Sequence, residues 1–292
     1  MSGLYNKAPL SYVSIKISTT DLPSLLPEQL SQLQQNLMQK NLILSADSKG
    51  KEINLNQLLS AGSIEKNTLN SIFRKGYLSH DKKECLILEK NSIEYRVTNY
   101  LGSEIFYTRF NDLFKTVLNV IPSYQKARSK EYTLNFVDII VPGGEYQLSD
   151  FFKNQSILPL HTLANISTDI FQTGGVNYQR IVTPTEKVLV NIEQLPQKSS
   201  RLLPEFFMEP DPEFAMPINL TFMPDNNNME PYAILTTQAS KLIDRELLEL
   251  DVHDSFLSLH NYSREAFKSI INLDVAKKHW EYKEKDALND NG

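Results

Sequence analysis

One cysteine, Cys85, in 292 residues leaves no intramolecular disulfide and no cysteine-based zinc site. No uninterrupted apolar run reaches the length of a bilayer-spanning helix. The opening Met1-Ser2-Gly3-Leu4-Tyr5-Asn6-Lys7 lacks the apolar stretch of an export signal, so the expected compartment is the cytoplasm and no membrane partner is expected. Glycine is sparse, with ten residues. Its pairs Gly143-Gly144 and Gly174-Gly175 begin neither a GxGxxG nor a GxxxxGK(S/T) pattern, which excludes those phosphate loops. Both pairs read as turns, Gly174-Gly175 as the hairpin between strand-like Ile166–Thr173 and Val176–Thr183.

Catalytic signatures are missing too. His80, His161, His253, His260 and His279 include no HExxH spacing. His253 and His260 fall on one helical face two turns apart, about 10 Å along the axis, too far to share one ion. His253 is expected to pack against the sheet with one ring nitrogen bonded. No GxSxG elbow exists, and Cys85 lies in the apolar run Cys85-Leu86-Ile87-Leu88, where a buried thiol is inert. No two carboxylates are paired for acid/base work. Catalytic residues, cofactor-binding residues and metal ligands are therefore assigned to none, and no cofactor is implied.

What is present is an ordinary globular composition, 41% hydrophobic and 22% charged. The net charge of -5 conceals a split. Residues 1–130 hold 17 basic and 11 acidic side chains, a net of +6, and residues 131–292 hold 13 and 24, a net of −11. Such a split fits a basic nucleic-acid surface, two halves that attract each other within or between molecules, or solvated surfaces of drifting composition.

Periodicity supplies the elements. Val13, Ile15 and Ile17 alternate with Ser14, Lys16 and Ser18 as a one-sided strand. A helix follows, capped by Thr20 or Asp21, with Pro23 in its first turn, Leu26, Leu30, Leu33 and Leu37 on one stripe, and Asn41 as its stop. Strand signals come at Leu42–Ser45, Ile53–Leu58, Cys85–Glu89 and Ile93–Thr98, the last two joined by Lys90-Asn91-Ser92. A second helix runs from Ser103 to Pro122, with Phe106, Phe110, Leu113, Phe114, Val117 and Ile121 inward.

The second half repeats the order. Strands are expected at Tyr132–Val141, Val176–Thr183, Val188–Gln194, Ile218–Met223 and Tyr232–Thr237, with a short helical or turn segment beginning at Asp150-Phe151-Phe152. A long C-terminal helix runs from Leu247 through Ile271, followed by a shorter one at Val275–Trp280 and a frayed tail, Lys283–Gly292. The Pro-rich excursion near 197–217, with Glu205, Glu209, Asp211 and Glu213, reads as surface rather than core. The fold class is α+β: two similar β-α-(β)n-α halves, 1–130 and 131–292, an internal duplication in which antiparallel sheets carry helices on one face. The other sheet face is open.

The first half interleaves Arg74-Lys75, Lys82-Lys83, Lys126, Arg128 and Lys130 with Tyr77, Tyr95, Tyr100, Tyr107 and Tyr124, a mix suited to phosphates and bases. Lys90, Glu94 and Arg96 equally suit the wet face of a sheet, and the sequence pI of 5.6 is far from a basic footprint.

The opening Tyr5-Asn6-Lys7-Ala8-Pro9-Leu10, the central stretch from Tyr132 to Pro142, and the ending from Leu247 to Trp280 with Leu259-His260 and Phe267 resemble a sporadically distributed bacterial family of uncharacterised proteins of about this length. That family usually reads Leu-Arg-Tyr where this chain has Leu134-Asn135-Phe136, and carries an Asp-rich pattern where it has Ala233-Ile234-Leu235-Thr236-Thr237. The resemblance implies the α+β fold, a bacterial cytoplasm and a gene on mobile or phage-defence islands. The expected function is a non-enzymatic protein-binding or assembly subunit of such a defence-type system, whose open sheet face or acidic half engages a protein partner or a second copy. The alternatives are a nucleic-acid-binding protein using the first half, and an enzyme whose site is assembled from distant residues.

Overall fold

The structure is a computed structural model that describes residues 3–5, 8–53, 69–154, 158, 174–196, 199, 201–209, 212–218 and 231–284. It is α+β. Nine antiparallel strands form one sheet: β2 (Leu10–Thr19), β3 (Leu44–Ile53), β4 (Leu69–Leu78), β5 (Glu84–Glu89), β6 (Ser92–Val97), β7 (Arg128–Ile140), β8 (Gly174–Thr183), β9 (Glu186–Leu195) and β10 (Tyr232–Glu246), in the order β3-β4-β5-β6-β2-β7-β10-β9-β8. β1 (Gly3–Tyr5) and β11 (Tyr282–Glu284) form a separate two-stranded ribbon, so Lys283 and Glu284 belong to a strand and not to a frayed tail.

β2 and β7 pair at the centre, joining residues 1–130 and 131–292 in one continuous sheet. Outward from that pair, β6, β5, β4 and β3 follow on one side and β10, β9 and β8 on the other. Tight connections explain the antiparallel order. Lys90-Asn91 joins β5 to β6 and Pro184-Thr185 joins β8 to β9, too short for a crossover.

Helices cover one face: α1 (Pro27–Met38), α2 (Ser103–Val120), α3 (Val252–Ile270) and α4 (Leu273–His279). α2 buries Phe106, Tyr107, Phe110, Leu113, Phe114 and Val117 against Ile15, Ile17, Ile93, Tyr95 and Leu134, and it ends before Pro122, whose ring cannot continue a helix. The Asp251 carboxylate caps α3 by accepting from the Asp254 N–H at 3.0 Å.

Several expectations are corrected. α1 starts at Pro27 and not near Asp21, because the Leu22 N–H is committed to the Lys90 carbonyl at 2.6 Å and Pro27 supplies the favoured first position. Asn41 does end it, in the left-handed region at φ 66°. Gly174 and Gly175 lie inside β8, paired with Gln194 and Glu193, so they are strand and not turn. The C-terminal helix begins at Val252 and not Leu247, because β10 stays paired with β7 as far as Glu246. Ile53–Leu58 beyond Ile53, Ile166–Thr173 and Ile218–Met223 beyond Ile218 lie outside the described residues; Ile218 itself is not in a strand.

The largest correction concerns 197–217. β9 and β10 are directly paired, Leu195 opposite Tyr232, yet 36 residues connect them where a hairpin needs 2–5. The described part of that excursion crosses the face of the sheet opposite the helices. Leu202, Leu203, Phe207 and Met216 pack on Tyr12, Val137, Ile139 and Ile234, and Phe214 is fully buried among Ala46, Leu78, Cys85 and Ile87. Its prolines break regular structure without making it surface, because aromatic residues between them anchor it to the sheet.

Candidate functional site

On β6 and β4 the residues pointing away from the helices are set by alternation. Ile93, Tyr95 and Val97 face the helical core, which leaves Ser92, Glu94 and Arg96 on the opposite side. Glu94 and Arg96 are 4% and 9% exposed, so the wet-face expectation fails for these two, over which the excursion lies, while Lys90 is exposed. Arg96 donates from Nε and Nη2 to the two Glu94 oxygens at 2.8 and 2.9 Å, and from Nη1 to Glu209 on the excursion. Arg74 on β4 donates from Nη1 and Nη2 to Glu209 at 2.8 and 3.0 Å, and from Nε to Glu89 at 2.8 Å. Glu89 also accepts from Lys16 and Ser92 at 3.2 and 2.7 Å. One carboxylate is thus gripped by two guanidinium forks, each of which is oriented by a second carboxylate from the sheet.

Burial alone would raise the pKa of Glu209, but the Arg74 and Arg96 guanidinium groups outweigh it and hold the carboxyl below its ordinary value. Glu89 is lowered in the same way against its burial, by Lys16, Ser92 and Arg74. Both stay ionised, so neither is poised to exchange protons near neutrality.

Aromatic seats flank the grip. Phe207 lies on Tyr12 with ring centroids 5.2 Å apart. Phe214 sits over Gly76, where an added Cβ would come within 2.5 Å of the Phe214 ring, and the Arg74 guanidinium lies 4.7 Å from that ring's centroid. At the near end Arg201 pairs with Glu193, while the Tyr232 hydroxyl donates to the Arg201 carbonyl.

Among the described residues, Thr98 Oγ1, Asn135 Oδ1 and Thr236 Oγ1 on this face are buried without a hydrogen-bond partner. Tyr12 and Thr236 stand on either side of Val137, and Asn135 sits opposite Ser14 in the adjacent row. Asn135 Nδ2 donates to Ser14 Oγ at 2.9 Å, which leaves only its carbonyl oxygen open.

The residues singled out from sequence end elsewhere. His253 is exposed and 3.7 Å from Asp254, so the packed histidine is His260 instead. The Tyr107 ring lies edge-on between both imidazoles, at 6.0 and 6.1 Å, with its hydroxyl 3.1 Å from His260 Nδ1. Burial, with Arg264 nearby, lowers the His260 pKa. Cys85 is fully buried, and burial pushes its pKa up to about 12. Tyr77, Tyr95, Tyr107 and Tyr124 are core residues and present no stacking platform. Lys75 pairs with Asp47, and Arg128 with Asp244. Among the described residues no group of three or more His, Cys, Asp or Glu is placed to hold a metal ion.

A groove of about 290 Å³ lies between the 79–84 turn and the start of α2. Its charges are spent on one another: Glu84 accepts from Tyr95 Oη at 2.8 Å and from Arg109. Sequence reasoning missed the Arg74–Glu209–Arg96 grip, whose partners are 135 and 113 positions apart; the surviving signal was an acidic, aromatic, Pro-rich stretch in a chain whose first half is basic. Comparison with protein-family models, with curated proteins and with solved structures found no match to this chain.

Proposed function

We propose that the protein is a non-enzymatic protein-binding or assembly subunit that recognises an acidic, aromatic segment on the sheet face opposite its helices. One observation carries this reading. That face already holds an acidic segment, the chain's own residues 201–209 and 212–218 with short 3-10 turns at Glu205–Phe207 and Pro212–Phe214, by a two-arginine grip on Glu209 and aromatic seats for Phe207 and Phe214. A segment lying on a sheet face is held by its side chains, here a doubly paired carboxylate and two buried or stacked aromatic rings. The mirrored strand order about β2 and β7 supports the further reading that the halves 1–130 and 131–292 are duplicated units. The free, buried Cys85 and the absence, among the described residues, of any helix long and apolar enough to cross a membrane support work in the cytoplasm.

Selection of random 12-residue peptides on the full-length protein tests the binding reading. Enrichment of sequences joining an acid to aromatic residues is expected, with binding reduced at least about tenfold by Arg74→Gln, the size of losing a charged hydrogen bond. No enrichment, or enriched peptides indifferent to Arg74 and Arg96, would overturn it.

A further inference from the structure

We propose that residues 201–209 and 212–218 are an exchangeable internal occupant of this face, and that a protein partner displaces them with a segment of the same side-chain order. That order is an aromatic residue, an acid two positions on and a second aromatic five positions later, as in Phe207, Glu209 and Phe214. The inference rests on the protein-binding reading and adds the partner's chemistry and the device that regulates access.

The tether permits exchange. The excursion leaves the sheet at Leu195 and returns at Tyr232, and those two residues pair with each other, so the β9–β10 ladder closes without it. The grip survives exchange as well. When Glu209 departs, Arg74 keeps Glu89 and Arg96 keeps Glu94, so both forks stay aligned and neither cation is left buried alone.

The internal occupant also fits incompletely. Among the described residues Thr98 Oγ1, Asn135 Oδ1 and Thr236 Oγ1 on the covered face remain buried without partners, and unpaired buried polar groups destabilise the state that buries them. Four prolines, Pro204, Pro210, Pro212 and Pro217, deprive the excursion of backbone N–H donors. A partner segment with a full complement of N–H and C=O groups can reach those atoms while making the same ionic and aromatic contacts. The occupant is therefore a tethered competitor: high effective concentration holds it in place, and a better-matched segment replaces it.

A labelled peptide of residues 201–218, titrated by fluorescence anisotropy, tests the exchange on full-length wild type, Glu209→Gln and Phe214→Ala. Both variants should take up the peptide at least about tenfold more tightly than wild type, because the internal competitor is weakened. A peptide carrying the same Glu→Gln change should lose a comparable factor, and backbone hydrogen exchange across 201–209 and 212–218 of the full-length chain should rise at peptide saturation. Equal affinity for all three proteins, or unchanged exchange in those residues when peptide is bound, overturns the proposal. In that event, peptides from the random selection that still depend on Arg74 and Arg96 would leave the protein-binding reading standing, whereas their absence would remove both.

Discussion

Asp138 stands on the central strand β7 between Phe136 and Ile140, which face the helical core, and it is 5% exposed. Burial pushes its pKa up to about 7. Because the folded value lies above the unfolded one, the folded state binds the proton more strongly, so this carboxyl disfavours folding at high pH and its penalty fades as pH falls from about 7 toward 4. Asp138→Asn should therefore raise the stability at pH 8 by on the order of 2–4 kcal/mol, with the advantage shrinking toward pH 5; denaturant titrations at both pH values measure it, and a pH-independent difference would contradict the account. Cys85 makes a second residue-scale case. A thiol held up at about 12 in a fully buried site should resist maleimide or an aromatic disulfide reagent in the native protein and react at once in denaturant, a contrast that mass spectrometry reads directly.

The described part of the excursion between β9 and β10 behaves as an element although its regular structure is limited to two 3-10 turns, Glu205–Phe207 and Pro212–Phe214. Its seat depends on the lack of a side chain at Gly76, so Gly76→Ala should unseat Phe214 and destabilise the protein by about 1–3 kcal/mol. In a Phe214→Ala background the same change should cost far less; a double-mutant cycle without coupling would argue against that contact. The ionic grip has its own pH signature. Glu209 and Glu89 are lowered below their ordinary values, so their contribution is complete above the unfolded carboxylate pKa and is lost as pH falls through the folded values. Backbone exchange in 201–209 should accordingly accelerate in acid before β2, β6 and β7 lose protection.

At the scale of the molecule, the core beneath the helices that gathers Ile15, Ile93, Phe110, Leu134, Leu235 and Phe256 spans both charge-opposed halves. Calorimetry should then show one cooperative transition, and residues 1–130 expressed alone should fail to fold, because β2 would lose β7 along one whole edge. The basic first half and acidic second half meet within one molecule where Glu209 crosses to Arg74 and Arg96, one of the arrangements that charge counting left open.

Local chemistry was legible in the amino-acid sequence. The period-two run Val13, Ile15, Ile17 marks β2, the stripe from Phe106 to Val117 marks α2, and Pro122 and Asn41 mark where helices stop, because each follows from backbone sterics and the burial of one face within a few residues. Tertiary structure alone decided the rest. Alternation put Glu94 and Arg96 on one face but could not say that residues 201–209 would cover it, and nothing local distinguishes a Pro-rich segment docked by Phe207 and Phe214 from a solvated one. Nor did any spacing join Arg74, Arg96 and Glu209. Such sites are made by chain reversal over more than a hundred positions, where the deciding quantities are burial and the pairing of charges across the sheet rather than the propensity of any single stretch.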